Sequence, residues 1–164
     1  MYITRRERFS SAHRLLNSSF DKTDNKKLFG KCFEMHGHNY ELFVTVTGKV
    51  DSKSGMIVDL KDLKKIIKSK VISKVDHNYL NDVEFMKDKI TTTENLCIQI
   101  WEELQEPIRL LGGQLYKIRV NETENNFFEY FGNKKYRFSG IDAPELKQKC
   151  EYKGEVIYCG VLAT

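Results

Sequence analysis

Only two prolines occur in 164 residues and no low-complexity run is present, which argues against a disordered or linker-dominated chain. No apolar stretch is long enough to cross a bilayer. The first residues, Met1-Tyr2-Ile3-Thr4-Arg5-Arg6-Glu7-Arg8, alternate like a strand and lack the apolar core of a signal peptide. The expectation is a cytoplasmic protein without a membrane partner. The four cysteines, Cys32, Cys97, Cys150 and Cys159, show no CxxC spacing and no dense disulfide framework, so they read as thiols. A concentrated charge of one sign is also missing. The 27 basic and 23 acidic residues leave a net +4, with a modest concentration only around Lys61 to Lys74. Surfaces that bind nucleic acid are denser than this, so no nucleic-acid partner is expected. The excess suits a small anionic substrate or an ordinary solvated surface.

The 40% hydrophobic content is enough for one sizeable core, and it is patterned. Residues 2–9 read as a strand. If the extended geometry persists, Phe9, Ser11 and His13 share a face. Residues 14–31 are polar and read as a loop. A long strand follows over roughly 36–50, with Tyr40, Leu42, Val44 and Val46 on its apolar face. The same parity puts His36 and His38 on that face, side by side at the mouth of the core. After a turn at Asp51-Ser52-Lys53-Ser54-Gly55, Met56-Ile57-Val58 reads as a short strand. Asp59 is then placed to cap a helix carrying Leu60, Leu63, Ile66, Ile67 and Val71 at helical spacing. A loop holds Asp76-His77-Asn78. A second helix opens near Thr91, where Thr91 and Glu94 have capping-box spacing, and it buries Leu96, Cys97, Ile100, Trp101 and Leu104. Tyr116, Ile118 and Val120 alternate as a strand ending near Glu122, and Phe127 to Phe131 returns beside it. The order strand, strand, helix, helix, strand, strand predicts an α+β fold, a four-stranded antiparallel sheet with two helices on one face. It occupies residues 1–138. Residues 139–164 form a polar tail without an assignable role, holding a short strand at Glu155 to Tyr158.

The chemistry concentrates in four histidines. His36-Gly37-His38 puts two imidazoles at i and i+2 on one strand face, and the glycine removes bulk between them. An HxH by itself also occurs in ordinary strands. A third donor, His13, ends the preceding strand. Three neutral imidazoles would leave a zinc ion its full charge and one open position, which is the catalytic rather than the structural pattern. Cys32 lies four residues before His36. A thiol near a dication is expected to have a lowered pKa and to serve as base or nucleophile, although an inert thiol fits the same position. Asp76-His77 offers an acid/base imidazole beside a carboxylate. Glu34 is a further candidate base. Glu122 ends an otherwise apolar strand face, where its two oxygens can receive parallel N–H donors from a planar heterocycle, unless the strand has already ended and the side chain is solvated.

Taken together, these segments resemble the 6-pyruvoyl-tetrahydropterin synthase family. The matching segments are Phe9-Ser10-Ser11-Ala12-His13-Arg14-Leu15, Leu28-Phe29-Gly30-Lys31-Cys32 and His36-Gly37-His38-Asn39-Tyr40. Gly55 through Lys64, Asp76-His77-Asn78-Tyr79-Leu80, Thr92-Thr93-Glu94-Asn95 and Glu122-Thr123-Glu124-Asn125-Asn126 follow in order. The resemblance implies the tunnelling fold, in which antiparallel sheets close into barrels as the chain forms a homohexamer, a dimer of trimers with interfacial active sites. It implies zinc on His13, His36 and His38. Cys32, Asp76 and His77 become the proton-transfer set, and Glu122 becomes the pterin anchor with Thr92, Thr93 and Glu94 beside it. The implied reaction is elimination of triphosphate from 7,8-dihydroneopterin triphosphate to give 6-pyruvoyl-tetrahydropterin, with Mg2+ accompanying the triphosphate. Only Phe33, Glu34 and Met35 separate Cys32 from His36, a shorter spacing than in animal-type enzymes. That spacing matches the bacterial relatives that make 6-carboxy-tetrahydropterin. Another branch places a glutamate near HGH in the cysteine's role, where Glu34 lies here. The alternatives are therefore a 6-carboxy-tetrahydropterin synthase or a pterin- and zinc-binding protein without turnover.

Overall fold

The computed structural model describes residues 1–132 and, beyond them, the backbone of two short strands, 149–152 and 155–158. The chain divides into two compact units, 1–132 and 133–164. In the first, β1 (Tyr2–His13) and β2 (His36–Thr47) pair antiparallel along their whole length. β4 (Gln114–Asn121) lies against the other side of β2, and β5 (Phe127–Tyr130) against β4. The sheet has five strands in the order β3-β1-β2-β4-β5, not the expected four. The extra strand, β3 (Asn78–Tyr79), runs parallel to β1 at the sheet's edge. In the second unit, β6 (Lys149–Tyr152) and β7 (Glu155–Tyr158) form an antiparallel pair, and β7 is the short strand expected there.

Strand parity decides the core. Tyr40, Leu42, Val44 and Val46 are essentially fully buried, as the alternation requires, each side chain contributing about 1.5–3 kcal/mol by its removal from water. The alternation Tyr116, Ile118, Val120 does not hold throughout. The β2–β4 register shifts between Thr45 and Val46, so Leu115 takes the buried place and Tyr116 packs against Tyr2 with the rings tilted and their centroids 4.4 Å apart.

Two helices cover the core face. α2 (Leu60–Ile67) starts at Asp59, whose carboxylate accepts the Lys61 N–H at 2.7 Å, and it buries Leu63 and Ile67. The helical path continues through a π turn (Lys68–Ile72) that buries Val71, and a last turn, α3 (Ser73–Val75). α4 (Thr93–Leu110) is capped by Thr92 rather than Thr91 and buries Leu96, Cys97, Ile100, Trp101, Leu104 and Ile108. Cys97 is core, as expected; burial pushes its thiol up to about 12.

Two local expectations fail. Met56-Ile57-Val58 is a bend rather than a strand, although Val58 is buried. Within 14–31, a helix, α1 (Lys22–Phe29), occupies what reads as loop. It shows almost no apolar periodicity because its one buried residue is Asn25. That amide donates to the carbonyls of Asn17, Phe20 and Asp21 and accepts the Asn17 N–H, replacing apolar burial with hydrogen bonds.

Candidate functional site

His13 pairs directly with His36 across the β1–β2 ladder, and Ser11 pairs with His38. The long uninterrupted register therefore carries all three imidazoles to one end of the sheet, on the face that buries Tyr40. Their ring centroids lie 4.4–5.2 Å apart, and one nitrogen from each falls within 4.8 Å of the others. His13 is 2% exposed. Its Nδ1 lies 2.7 Å from the Thr91 carbonyl, and His36 Nδ1 lies 2.9 Å from the Glu34 carbonyl. A carbonyl only accepts, so both Nδ1 atoms carry a proton and both Nε2 atoms are left to act as acceptors. His38 Nε2 is buried and, among the described residues, has no hydrogen-bond partner.

These features fit a zinc ion. Three neutral nitrogens converge, two are oriented by backbone acceptors as outer-sphere groups orient metal ligands, and the third is otherwise an orphan. Burial, above all, holds His13 and His38 below the ordinary imidazole pKa.

That depression has a definite sign. The folded chain binds fewer protons at these rings than the unfolded chain, whose imidazoles titrate near 6.5. Stability is therefore unaffected well above 6.5 and falls as pH drops below it, until the folded rings also protonate. The urea midpoint of the metal-free protein is expected to fall on acidification from pH 7.5 to 5.5, and bound zinc to be released over the same range because protons compete for the ligands. Constant midpoints over that interval would contradict the burial argument.

Gly37 sits between the paired histidines because a Cβ there would meet the Ser11 carbonyl oxygen at 2.9 Å, and backbone cannot move aside cheaply. Gly37→Ala is expected to cost about 1–3 kcal/mol in stability and to weaken metal retention, measured by thermal unfolding and metal content. A variant as stable and as metal-loaded as wild type would show the glycine to be incidental.

Glu122 follows β4, and its Oε1 lies 4.0 Å from His38 Nε2. Thr93, at the start of α4, holds the same oxygen at 2.5 Å. Thr92 caps α4 through the Asn95 N–H, and Glu94 in the first turn is exposed. The Tyr40 hydroxyl lies 3.5 Å from His13 Nε2, packed under the trio.

The Asp76-His77 pair is placed differently. Asp76 Oδ1 accepts the Ser10 N–H at 2.9 Å, and His77 N–H donates to the Ser10 carbonyl at 2.7 Å, pinning the pair to the edge of β1. The Ser10 bond, followed by His77, holds the Asp76 carboxyl below its usual range. His77 Nδ1 lies 3.0 Å from the carboxylate. His77 has φ of 58°, a left-handed conformation unusual for a side-chain-bearing residue and concentrated at functional sites. Its imidazole is exposed and shares with His38 the wall of an open groove of about 500 Å³, which also includes Ser10, Ala12, Asn39 and Asn78.

Cys32 and Glu34 are exposed. Cys32 lies in a 3-10 turn (Gly30–Phe33) joined to β1's continuation by the Leu15 N–H to Cys32 carbonyl bond, 2.8 Å. The Glu34 carboxylate faces Lys26 at 3.9 Å; it is the Glu34 carbonyl that serves the trio. Neither side chain lines the groove. The roles of the Thr91 and Glu34 carbonyls were not legible in the sequence, because any residue supplies a carbonyl.

A family model described as 6-pyruvoyl tetrahydropterin synthase matches residues 2–133. The chain belongs to that family. A 6-pyruvoyl tetrahydrobiopterin synthase of Dictyostelium discoideum is 47% identical over 131 residues, covering 79% of this chain and 95% of the relative. The human protein of the same name is 42% identical over 133 residues, covering 79% and 90%. The solved 6-pyruvoyl tetrahydropterin synthase of Caenorhabditis elegans aligns with a TM-score of 0.73 at 41% identity, covering 81% of this chain and 96% of that one. The fold is thus the tunnelling fold, and membership makes the chain an enzyme of the lyase class. Among the described residues, no helix of this synthase-family chain is long and apolar enough to cross a membrane.

Proposed function

We propose that this chain is a zinc-dependent lyase converting 7,8-dihydroneopterin triphosphate to 6-pyruvoyl-tetrahydropterin, with elimination of triphosphate, in tetrahydrobiopterin biosynthesis. One observation carries the reading: an orphaned His38 Nε2, converging with two other imidazoles, lies 4.0 Å from a carboxylate held by Thr93. On this reading the metal site and the heterocycle anchor are adjacent. His13, His36 and His38 would hold the ion, whose Lewis acidity would make the C–H bonds beside coordinated side-chain hydroxyls more acidic.

The chain's own groups account for the rest. Glu122 receives the N–H donors of the pterin ring and fixes its orientation, with Thr93 holding the carboxylate and Thr92 and Glu94 alongside. Cys32 as thiolate removes a side-chain proton. Asp76 orients His77, which returns a proton, while the C–O bond to triphosphate breaks and that group leaves with Mg2+. Glu34 is the alternative base, close by in sequence.

The separation of Cys32 from the groove that His38 and His77 share supports a site completed by other copies. Among the described residues β3 stands at one end of the strand order, which supports the same conclusion, since joining such ends closes sheets into barrels and removes exposed edges. A homohexamer of two trimers is the assembly proposed.

Cys32→Ala is the experiment: triphosphate release is expected to stop while zinc content stays at the wild-type level. Full turnover in that variant would remove Cys32 from the mechanism, and loss of activity only in Glu34→Gln would move the base to Glu34. The short spacing from Cys32 to His36 favours a second reading, a 6-carboxy-tetrahydropterin synthase, which the product's identity distinguishes.

A further inference from the structure

The roles above leave Arg14 unexplained. It follows His13, and its backbone is fixed at three points. Its N–H donates to Asn81 Oδ1 at 3.0 Å, and its carbonyl accepts from Asn81 Nδ2 at 3.0 Å and from the Thr91 hydroxyl at 2.8 Å. The side chain therefore starts from a rigid base tied to the same Thr91 whose carbonyl orients His13. It lines a cavity of about 520 Å³ together with Asn17, Ser18, Ser19 and Lys89. Among the described residues, buried Arg14 Nε has no hydrogen-bond partner and Arg14 forms no ion pair. A guanidinium is always charged, so burying one of its N–H groups unpaired costs stability and calls for an acceptor.

The cavity identifies the class of acceptor. Its wall offers a planar guanidinium fork, an ammonium and short hydroxyl and amide donors, a set that suits phosphate oxygens. Asp82 and Asp88 also line it, which disfavours a bare polyanion and favours one carrying a divalent cation. Tyr79 lines both this cavity and the groove shared by His38 and His77, so a single residue separates the two spaces.

We propose that this cavity is a polyphosphate subsite in which Arg14, assisted by Lys89, receives the distal phosphates of a magnesium-chelated triphosphate. The assignment rests on the triphosphate-lyase reading for its substrate, and its test is separable from that reading. The probe is inorganic tripolyphosphate with Mg2+, titrated calorimetrically into the zinc-loaded full-length protein.

Wild type is expected to bind it, and to bind it more tightly with Mg2+ than without. Arg14→Gln is expected to weaken binding on the order of ten- to hundredfold, the usual scale for losing a charge-assisted hydrogen bond, with zinc content unchanged. Because Arg14 is partly buried, Lys89→Gln, at an exposed position, provides a second arm with a several-fold loss expected. With 7,8-dihydroneopterin triphosphate, Arg14→Gln should raise KM far more than it lowers kcat. Equal tripolyphosphate affinity in wild type and Arg14→Gln overturns the proposal, as does no binding by wild type. If Arg14→Gln does not fold, wild-type affinity in Lys89→Gln overturns it. Arg14-dependent binding without any turnover would refute the lyase reading and leave the subsite standing; turnover without such binding would do the reverse.

Discussion

Replacing His38 with alanine is expected to strip zinc from the protein and abolish turnover while the fold survives. His38 lies near the start of β2, partly exposed, and among the described residues its Nε2 makes no hydrogen bond that holds the structure together. The ring's position is costly without a ligand, since burial opposes its protonation and leaves a polar atom unsatisfied. Deleting it should leave thermal stability close to wild type. Outer-sphere partners of metal ligands alone change affinity by about 10- to 100-fold, so removing one of three ligands should exceed that range. Metal content after dialysis against a weak chelator reads this directly. A His38→Ala protein that keeps stoichiometric zinc would show that the trio is not the metal site.

Glu122→Ala should spare the metal and destroy recognition of the heterocycle. The carboxylate lies 4.0 Å from His38 Nε2 without occupying it and is held by Thr93 at 2.5 Å. Its 18% exposure leaves it reachable from the site but screened from bulk water, where hydrogen bonds to a carboxylate are worth about 1.5–3 kcal/mol each. Losing a two-pronged anchor should raise the Kd for a phosphate-free pterin by roughly 100-fold or more. Zinc content should remain at the wild-type level. The opposite pattern, zinc lost and pterin affinity retained, would make Glu122 a metal ligand instead.

The convergence of the three histidines was legible because a strand repeats every two residues. Once Tyr40, Leu42, Val44 and Val46 were taken as buried, His36 and His38 had to point the same way, and parity in β1 carried His13 with Phe9. Features below the length of a period were not legible. β3 is two residues long, and nothing in Asn78-Tyr79 signals parallel pairing with Ser11-Ala12. α1 hides because it turns an asparagine, not an apolar stripe, toward the chain. Tyr116 was misplaced by a bulge, which shifts parity without leaving a mark in the residues themselves.

At the site, backbone groups do work that side-chain patterns do not announce. Glu34 contributes its backbone carbonyl to His36, the cap of α4 falls one residue later than the capping-box spacing suggested, and the Thr91 backbone carbonyl orients His13. Arg14 carried no sequence signal beyond its place after His13. Its interest arises from Asn81 and Thr91, distant in sequence, meeting its backbone.

The most direct measurement is mass spectrometry of the products formed when the zinc-loaded protein is incubated with 7,8-dihydroneopterin triphosphate and Mg2+. The account predicts the mass of 6-pyruvoyl-tetrahydropterin together with inorganic triphosphate, both absent in His38→Ala. A 6-carboxy-tetrahydropterin product, or unchanged substrate in the presence of stoichiometric zinc, would contradict it.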